Sequence, residues 1–510
     1  MTEGALDRSA HLDEAMRRPE ASAAPPLAAP RMGTKLAYGF GSVAAGVGTL
    51  GLSSSVLQPY LNRVIGLPAI WVGAAIMATL MVDAIVDPLI GQWSDNTRSR
   101  WGRRHPYMYA AAPLAPLVCL AFWHSPAQWS GFQIGAYLIG ILVLLRLSIS
   151  LFEVPCNALA PELAPDYHQR TGLLSYRFFF GILAGLIANV ALYRFFLNGP
   201  GGILSREGYA QFGVMAAIIM FVSILVSAGG THREIKRLSR PAARPVTLRS
   251  TMQEIWGTLG NRSLVTVMAS GLISGVGTGM TAALQQYFQI ELWHITPAEI
   301  SYLTIAALAG SFVAVGLASP ISKRFGKKRS MIILFGLYLI AHVAPLSLKL
   351  LNLMPPDRSP WVMVILLVDT FMAIALVVTG LIIISSMVAD VVEDAAVTTG
   401  VRSEGLLFAA NGLLPKFTAG IGVFAAGVVL TLVGFPTHAG AGTVDASIMR
   451  QLAMIYLPIS FTLTAGSIAV LVFYRIDEAT HLSNLATLKQ ASGVAEIERE
   501  GEVEPPSALN

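Results

Sequence analysis

The chain has 510 residues, of which 54% are hydrophobic and only 13% charged, with a mean hydropathy of +0.61. A soluble domain carries about a quarter charged residues, so this composition excludes one and calls for lipid around the chain. The net charge of +5 does not signal nucleic acid, because the basic residues fall in short segments between apolar runs, as cytoplasmic loops do. Cys119 and Cys156 both lie inside apolar runs, supply neither a disulfide framework nor a metal cluster, and read as packing residues.

Residues 1–32 are rich in Ala and Pro, lack the apolar core of a signal peptide, and read as a disordered cytoplasmic tail. Twelve apolar runs of bilayer-crossing length, roughly 20 residues each, then begin near Leu36, Ile70, Tyr107, Ile134, Leu173, Phe212, Leu264, Ile300, Met331, Trp361, Leu406 and Ala453. Loops after even-numbered runs hold Arg98, Arg100, Arg103 and Arg104, then Arg170, "HREIKRLSRPAAR", "SKRFGKKR" and Arg402, whereas "HSPAQWSGF" and "LWHITPAEI" on the other side have no Lys or Arg. This bias places both termini in the cytoplasm.

The sequence also echoes itself. "GQWSDNTRSRWGRR" after the second run is matched by "ASPISKRFGKKR" after the eighth, and "PELAPDYHQRTGLL" after the fourth by "EDAAVTTGVRSEGLL" after the tenth. The reading is an all-α membrane protein of twelve transmembrane helices in two pseudo-symmetric six-helix halves, residues 33–231 and 260–476. A cytoplasmic linker over 232–259 joins the halves, and residues 477–510 form a loose, acidic cytoplasmic tail. Such a pair with one central cavity suits alternating access.

Chemistry concentrates on a few intramembrane charges. Asp83 and Asp87 stand four residues apart on one face of the second helix. At about 6 Å apart their charges repel by roughly 3 kcal/mol at an effective dielectric near 20. Something positive must join them, or one must hold a proton. Pro88 leaves the Ala84 carbonyl without its usual helical partner, and carboxylate and carbonyl oxygens are the hard ligands an alkali cation prefers. The plainer reading pairs the aspartates with basic side chains of other helices. Arg146, Ser150 and Glu153 share one stripe of the fourth helix, and Arg146 is a candidate built-in counter-ion. Lys416 follows Pro415 within the eleventh run, too deep to snorkel easily. Gln285, Gln286, Tyr287, Asp369 and Asn411 are further polar candidates for ligand or interhelical contacts, with Asp369 grouped with Arg146 in a charge network. Asp95 with Arg103 or Arg104 is expected to form a charge latch that breaks when the carrier opens inward.

Five stretches carry a family resemblance: "KLAYGFG", "DAIVDPLIGQWSDNTRSRWGRRHPY", "EVPCNALAPELAPDYHQRTGLLSYR", "MVADVVEDAAVTTGVRSEGLLF", and Lys416 twelve residues beyond Glu404. The chain resembles the major facilitator superfamily and, within it, the melibiose-permease-like glycoside-pentoside-hexuronide:cation symporters. The resemblance implies that Asp83, Asp87 and Ser150 bind a cation, that Glu153 and Arg177 hold a sugar, and that Lys416 lies at the central cavity, where it can pair with the second-helix aspartates and link the halves. Two departures stand out: a second sugar-binding acid aligns with Gly46, and a stacking tryptophan with Asn157.

The expected function is cation-coupled symport of a glycoside or related polar solute. The substrate set is Glu153, Asn157, Arg177, Lys416, Asn411, Gln286 and Tyr287. Arg146 makes the buried set of Asp83, Asp87, Glu153, Arg146, Arg177 and Lys416 electrically balanced, which keeps three options open: sodium, proton, or no coupling ion. A non-sugar substrate such as an organic acid or a lysolipid is the alternative, and a sensor built on a transporter scaffold the different class. No paired histidines at metal spacing, Gly-rich phosphate loop or nucleophile elbow marks an enzyme. No cofactor or nucleic acid is expected beyond a coupling ion. The expected setting is lipid of a bacterial inner membrane, with a monomer as the default.

Overall fold

The computed structural model describes residues 30–164, 167–237, 262–357, 359–399, 414–438 and 440–474. The expected tails, and most of the linker over 232–259, lie outside these residues. Among the described residues, twelve helices are long and apolar enough to cross a membrane: α1 Met32–Val64, α2 Ala69–Asn96, α3 His105–Trp123, α4 Gly131–Leu163, α5 Gly172–Phe196, α6 Arg206–Ile235, α7 Leu264–Leu292, α8 Pro297–Phe325, α9 Lys327–Leu350, α10 Pro360–Val388, α11 Leu414–Leu432 and α12 Ala446–Leu471. At about 1.5 Å per residue, the 28 residues of α2 reach well past the hydrocarbon layer at both ends.

Polar caps place some helix starts earlier than the apolar runs suggest. Ser205 accepts from the Gly208 amide and Asp445 from the Ser447 amide, so α6 begins at Arg206 and α12 at Ala446 rather than near Phe212 and Ala453. At its far end α6 passes into further helical turns through Arg237, beyond the start expected for the linker. The described part of α11 begins at Leu414, and the expected start near Leu406 is outside the described residues.

Helix neighbours repeat between the two halves. In the first, α1 packs on α5 and α6, α3 on α6 and α4, and α2 on α4. In the second, α7 packs on α11 and α12, α9 on α12 and α10, and α8 on α10. Small residues permit the matching close approaches: a Cβ added at Gly46 of α1 would stand 2.2 Å from the Gly181 carbonyl oxygen of α5, and one at Gly422 of α11 would stand 2.1 Å from the Val276 oxygen of α7. The halves meet through α2 against α11, its counterpart α8 against α5, and α1 against α7.

Odd-numbered helices end at loops poor in Lys and Arg, even-numbered ones at the arginine-rich side. Exposed Trp71 and Trp361 mark the first side, and exposed Trp93 and Trp101 the second, as the two aromatic belts of a membrane protein do.

Candidate functional site

The two aspartates of α2 meet α11 across the interface between the halves. Lys416 places its ammonium 2.7 Å from Asp83 Oδ2 and 2.5 Å from Asp87 Oδ2. Two attractions of about 6 kcal/mol each at an effective dielectric near 20 outweigh the single repulsion of about 3 kcal/mol. Desolvation then takes back part of that gain. On the α4 side, Ser150 Oγ donates to Asp83 Oδ1 at 2.9 Å. Arg146 stands farther off, 3.8 Å from Asp83 Oδ2, with its other nitrogen 3.4 Å from the Leu52 carbonyl. The close counter-ion is thus the lysine of the second half, with the arginine of α4 as a distant second. Asp87 Oδ1 is buried and has no hydrogen-bond partner among the described residues.

One turn along α4, Glu153 lies within electrostatic reach of Lys416 and both aspartates. Arg177 of α5 brings Nη2 to 4.0 Å from Glu153 Oε1, donates from Nη1 to Cys156 Sγ at 2.8 Å, and lies 5.2 Å over the Tyr38 ring. Tyr38 and Cys156 hold the guanidinium; neither stands out in the sequence, since both belong to apolar runs. The Glu153 side chain is 35% exposed against 9% for Asp83, so Glu153 is the carboxylate that a solute can reach. Asn157, one turn further, is exposed. The neutral position at Gly46 has a packing cause, because no side chain fits against the Gly181 backbone there. Asn411 lies outside the described residues.

Gln286 and Tyr287 are placed elsewhere than in a substrate pocket. Gln286 donates to the Tyr193 hydroxyl at 2.9 Å, and the Tyr287 hydroxyl donates to Asn62 Oδ1 at 3.0 Å. Both are buried in the contact that closes the arginine-poor side. They sit at the ends of α1, α5 and α7, whose last turns are π-helical and bring the halves together. The strongest link there was not anticipated: Arg63 and Glu291, each the fourth residue of its π turn, pair at 2.6 Å with side-chain exposures of 2% and 0%. Glu291 also accepts from the Gly442 and Val444 amides, and Arg63 donates to the Gly440 carbonyl. Opposite charges at equal positions of the two halves were the available signal.

On the arginine-rich side, Asp95 pairs with Arg104 at 2.8 Å, while Arg104 and Arg103 reach Glu162 at 2.6 and 2.8 Å. All four residues belong to the first half, so moving the halves apart does not require these contacts to break. They clamp the ends of α2, α3 and α4 together, and Glu162 was the missing anion. Lys327 at the start of α9 and Asp390 beyond α10 pair at 2.6 Å in the matching place of the second half.

Asp369 does not join Arg146. It lies on α10, on the wall of a cavity of about 820 Å³ within the second half, bounded by α7, α9, α10 and α12.

Comparison with known proteins agrees with this architecture. The sequence model of the family described as MFS/sugar transport protein matches residues 37–478. A symporter of Synechocystis sp. is 25% identical over 88% of this chain and 95% of its own. The isoprimeverose transporter of Lactiplantibacillus pentosus is 27% identical over 84% of this chain and 85% of its own. The crystal structure of the nucleoside transporter NupG superposes with a TM-score of 0.62 at 13% identity, covering 86% of this chain and 98% of that one. With nearly all of its described helices inside that match, the chain belongs to the MFS/sugar transport family, and is a multi-pass membrane protein that moves a small molecule by secondary transport rather than an enzyme.

Proposed function

We propose that this chain couples the entry of a glycoside or related polar solute to a monovalent cation, and that Asp83, Asp87 and Lys416 form the coupling centre. The observation that carries the reading is a lysine of one half bridging two carboxylates of the other, beside a buried Asp87 oxygen that no hydrogen bond from the described residues satisfies. A sodium ion or a proton at this oxygen competes with the ammonium for the same charge. Ser150 already donates to the opposite carboxylate and is placed to turn its oxygen to a metal cation.

Release of Lys416 loosens α11 from α2 and changes the field at Glu153. Glu153 then accepts from substrate hydroxyls, while Arg177, steadied by Tyr38 and Cys156, donates to them. Each ligand improves the site for the other, and the improvement is reciprocal. With the arginine-rich side in the cytoplasm, the Arg63–Glu291 contact closes the outer side, and the two halves rock about the centre. The relatives named as a symporter and as an isoprimeverose transporter support this class of solute and mechanism. We place the chain in a bacterial inner membrane, as a monomer, with both termini cytoplasmic.

The test is uptake of a labelled panel of mono- and disaccharides into proteoliposomes under an inward sodium gradient, an inward proton gradient, or neither. Accumulation above equilibrium is expected with one gradient only, and it is lost in Asp83→Asn while exchange survives. Full accumulation in a variant with Asp83 and Asp87 both changed to Asn contradicts the reading.

A further inference from the structure

The cavity of the second half differs in character from the charged centre. Its long walls are α7 and α10, with α9 and α12 behind. It reaches Leu414, Pro415 and Ala419 of α11, which flank Lys416 along the chain. Its size falls within the roughly 300–1,000 Å³ of pockets that take organic ligands.

Three observations define what it accepts. Among the described residues that line it, the only formally charged side chain is Asp369. Asp369 Oδ1 is buried with no hydrogen-bond partner among them. Of the other polar lining groups, three are already joined in a chain, Thr281 to the Tyr456 hydroxyl at 2.8 Å and that hydroxyl to His342 Nε2 at 2.7 Å, with Tyr338 stacked on the His342 ring at 5.2 Å. The rest of the wall is mainly apolar, with Phe288, Trp293 and Phe335 among it. Flat aromatic surfaces beside one unsatisfied acceptor suit a ring that carries a hydroxyl. A lone carboxylate without a lysine or arginine repels an anion.

We propose that this cavity seats the aglycone of the transported glycoside, an aromatic group whose hydroxyl donates to Asp369, and that it discriminates against anionic aglycones. The sugar end rests on the glycoside reading above; the aglycone end rests on the cavity alone. The substrate class is thereby narrowed from sugars in general to glycosides with an apolar, donor-bearing aglycone. Organic acids are disfavoured.

Binding to the purified full chain by calorimetry tests it, using methyl, phenyl, 4-hydroxyphenyl and 4-carboxyphenyl β-glycosides of glucose, galactose and xylose. For whichever sugar binds, phenyl should bind about tenfold or more tighter than methyl, the worth of burying one ring. The 4-hydroxyphenyl compound should gain about tenfold again, and the 4-carboxyphenyl compound should be the weakest. Asp369→Asn should bring the ratio of 4-hydroxyphenyl to phenyl affinity close to one and lessen the penalty on the carboxyl compound. Thr278→Phe, which fills the cavity from the exposed α7 position, should bring phenyl affinity down to that of methyl, and supplies the result if the Asp369 variant does not fold. Equal affinity for methyl and phenyl glycosides, unaltered by Thr278→Phe, overturns the proposal and leaves the glycoside reading standing. If none of the glycosides binds, the glycoside reading falls, and 4-hydroxybenzyl alcohol probes the cavity by itself. Binding that Asp369→Asn weakens about tenfold then supports the cavity assignment, and no binding overturns it.

Discussion

Two ion clusters join the halves of this molecule, and they are built to opposite ends. At the arginine-poor side Arg63 and Glu291 are almost wholly withdrawn from solvent, and both oxygens of Glu291 are engaged by backbone amides as well as by the guanidinium. At the centre the Lys416 side chain is 32% exposed, Asp87 is 21% exposed, and one Asp87 oxygen has no hydrogen bond among the described residues. A buried charge pair with its lone pairs satisfied holds one arrangement firmly, because breaking it strands a charge in low dielectric. A partly wet pair with an unsatisfied oxygen exchanges partners at lower cost. In the proposed mechanism the first contact serves as a lock for one conformation, and the second is where an arriving ion gains access.

The contrast is open to attack by substitution. The largest effect belongs to the lock: Arg63→Met should weaken the closed arrangement by about 3–5 kcal/mol. A cysteine placed at buried Ile203 beside it would then become reactive to a membrane-impermeant thiol reagent. Adding Glu291→Leu should restore most of the protection, because the stranded charge goes with its partner. Lys416→Met should cost less, about 1–3 kcal/mol in thermal stability, since Ser150 and Arg146 still face Asp83 and solvent reaches the site. In the clamp of the arginine-rich side, Glu162→Gln should cost about 1–2 kcal/mol by weakening two charge-assisted hydrogen bonds. Asp95→Asn at the 45% exposed end should change stability by less than about 1 kcal/mol, which denaturation of the purified variants would read. A larger loss from Asp95→Asn than from Glu162→Gln would invert the assignment of the clamp's anchor.

The helices were legible because lipid imposes one requirement along twenty residues at a time, and apolar length alone meets it. The aspartates of α2 were legible for the converse reason: a charge in such a run demands a cause. What charge alone did not reveal was which partner lies near. Arg146 shares a half with Asp83 and fits the required sign, yet Lys416 takes the closer position because α11 packs on α2 across the interface. Gln286 and Tyr287 illustrate the same gap, since a polar side chain on an apolar helix looks identical whether it faces a solute or a neighbouring helix. Arg63 and Glu291 lie near helix ends, where charged residues are ordinary, and only the pairing of the two halves reveals their role. Asp369 was visible as an isolated acid, but its lack of a basic neighbour among the described residues is a fact of packing.

The exchange of Lys416 for a cation is the central claim, and a cation titration of thermal stability in the wild type and in Lys416→Met tests it most directly. Sodium, lithium and pH should be varied one at a time. The account predicts that one of these ions stabilises the wild type, that Lys416→Met lowers the half-saturating concentration of that ion by about tenfold or more as its competitor is removed, and that Asp83→Asn with Asp87→Asn abolishes the response. Wild type and Lys416→Met proteins that are both indifferent to every cation and to pH would contradict it, and would leave the lysine as a fixed strut between the halves.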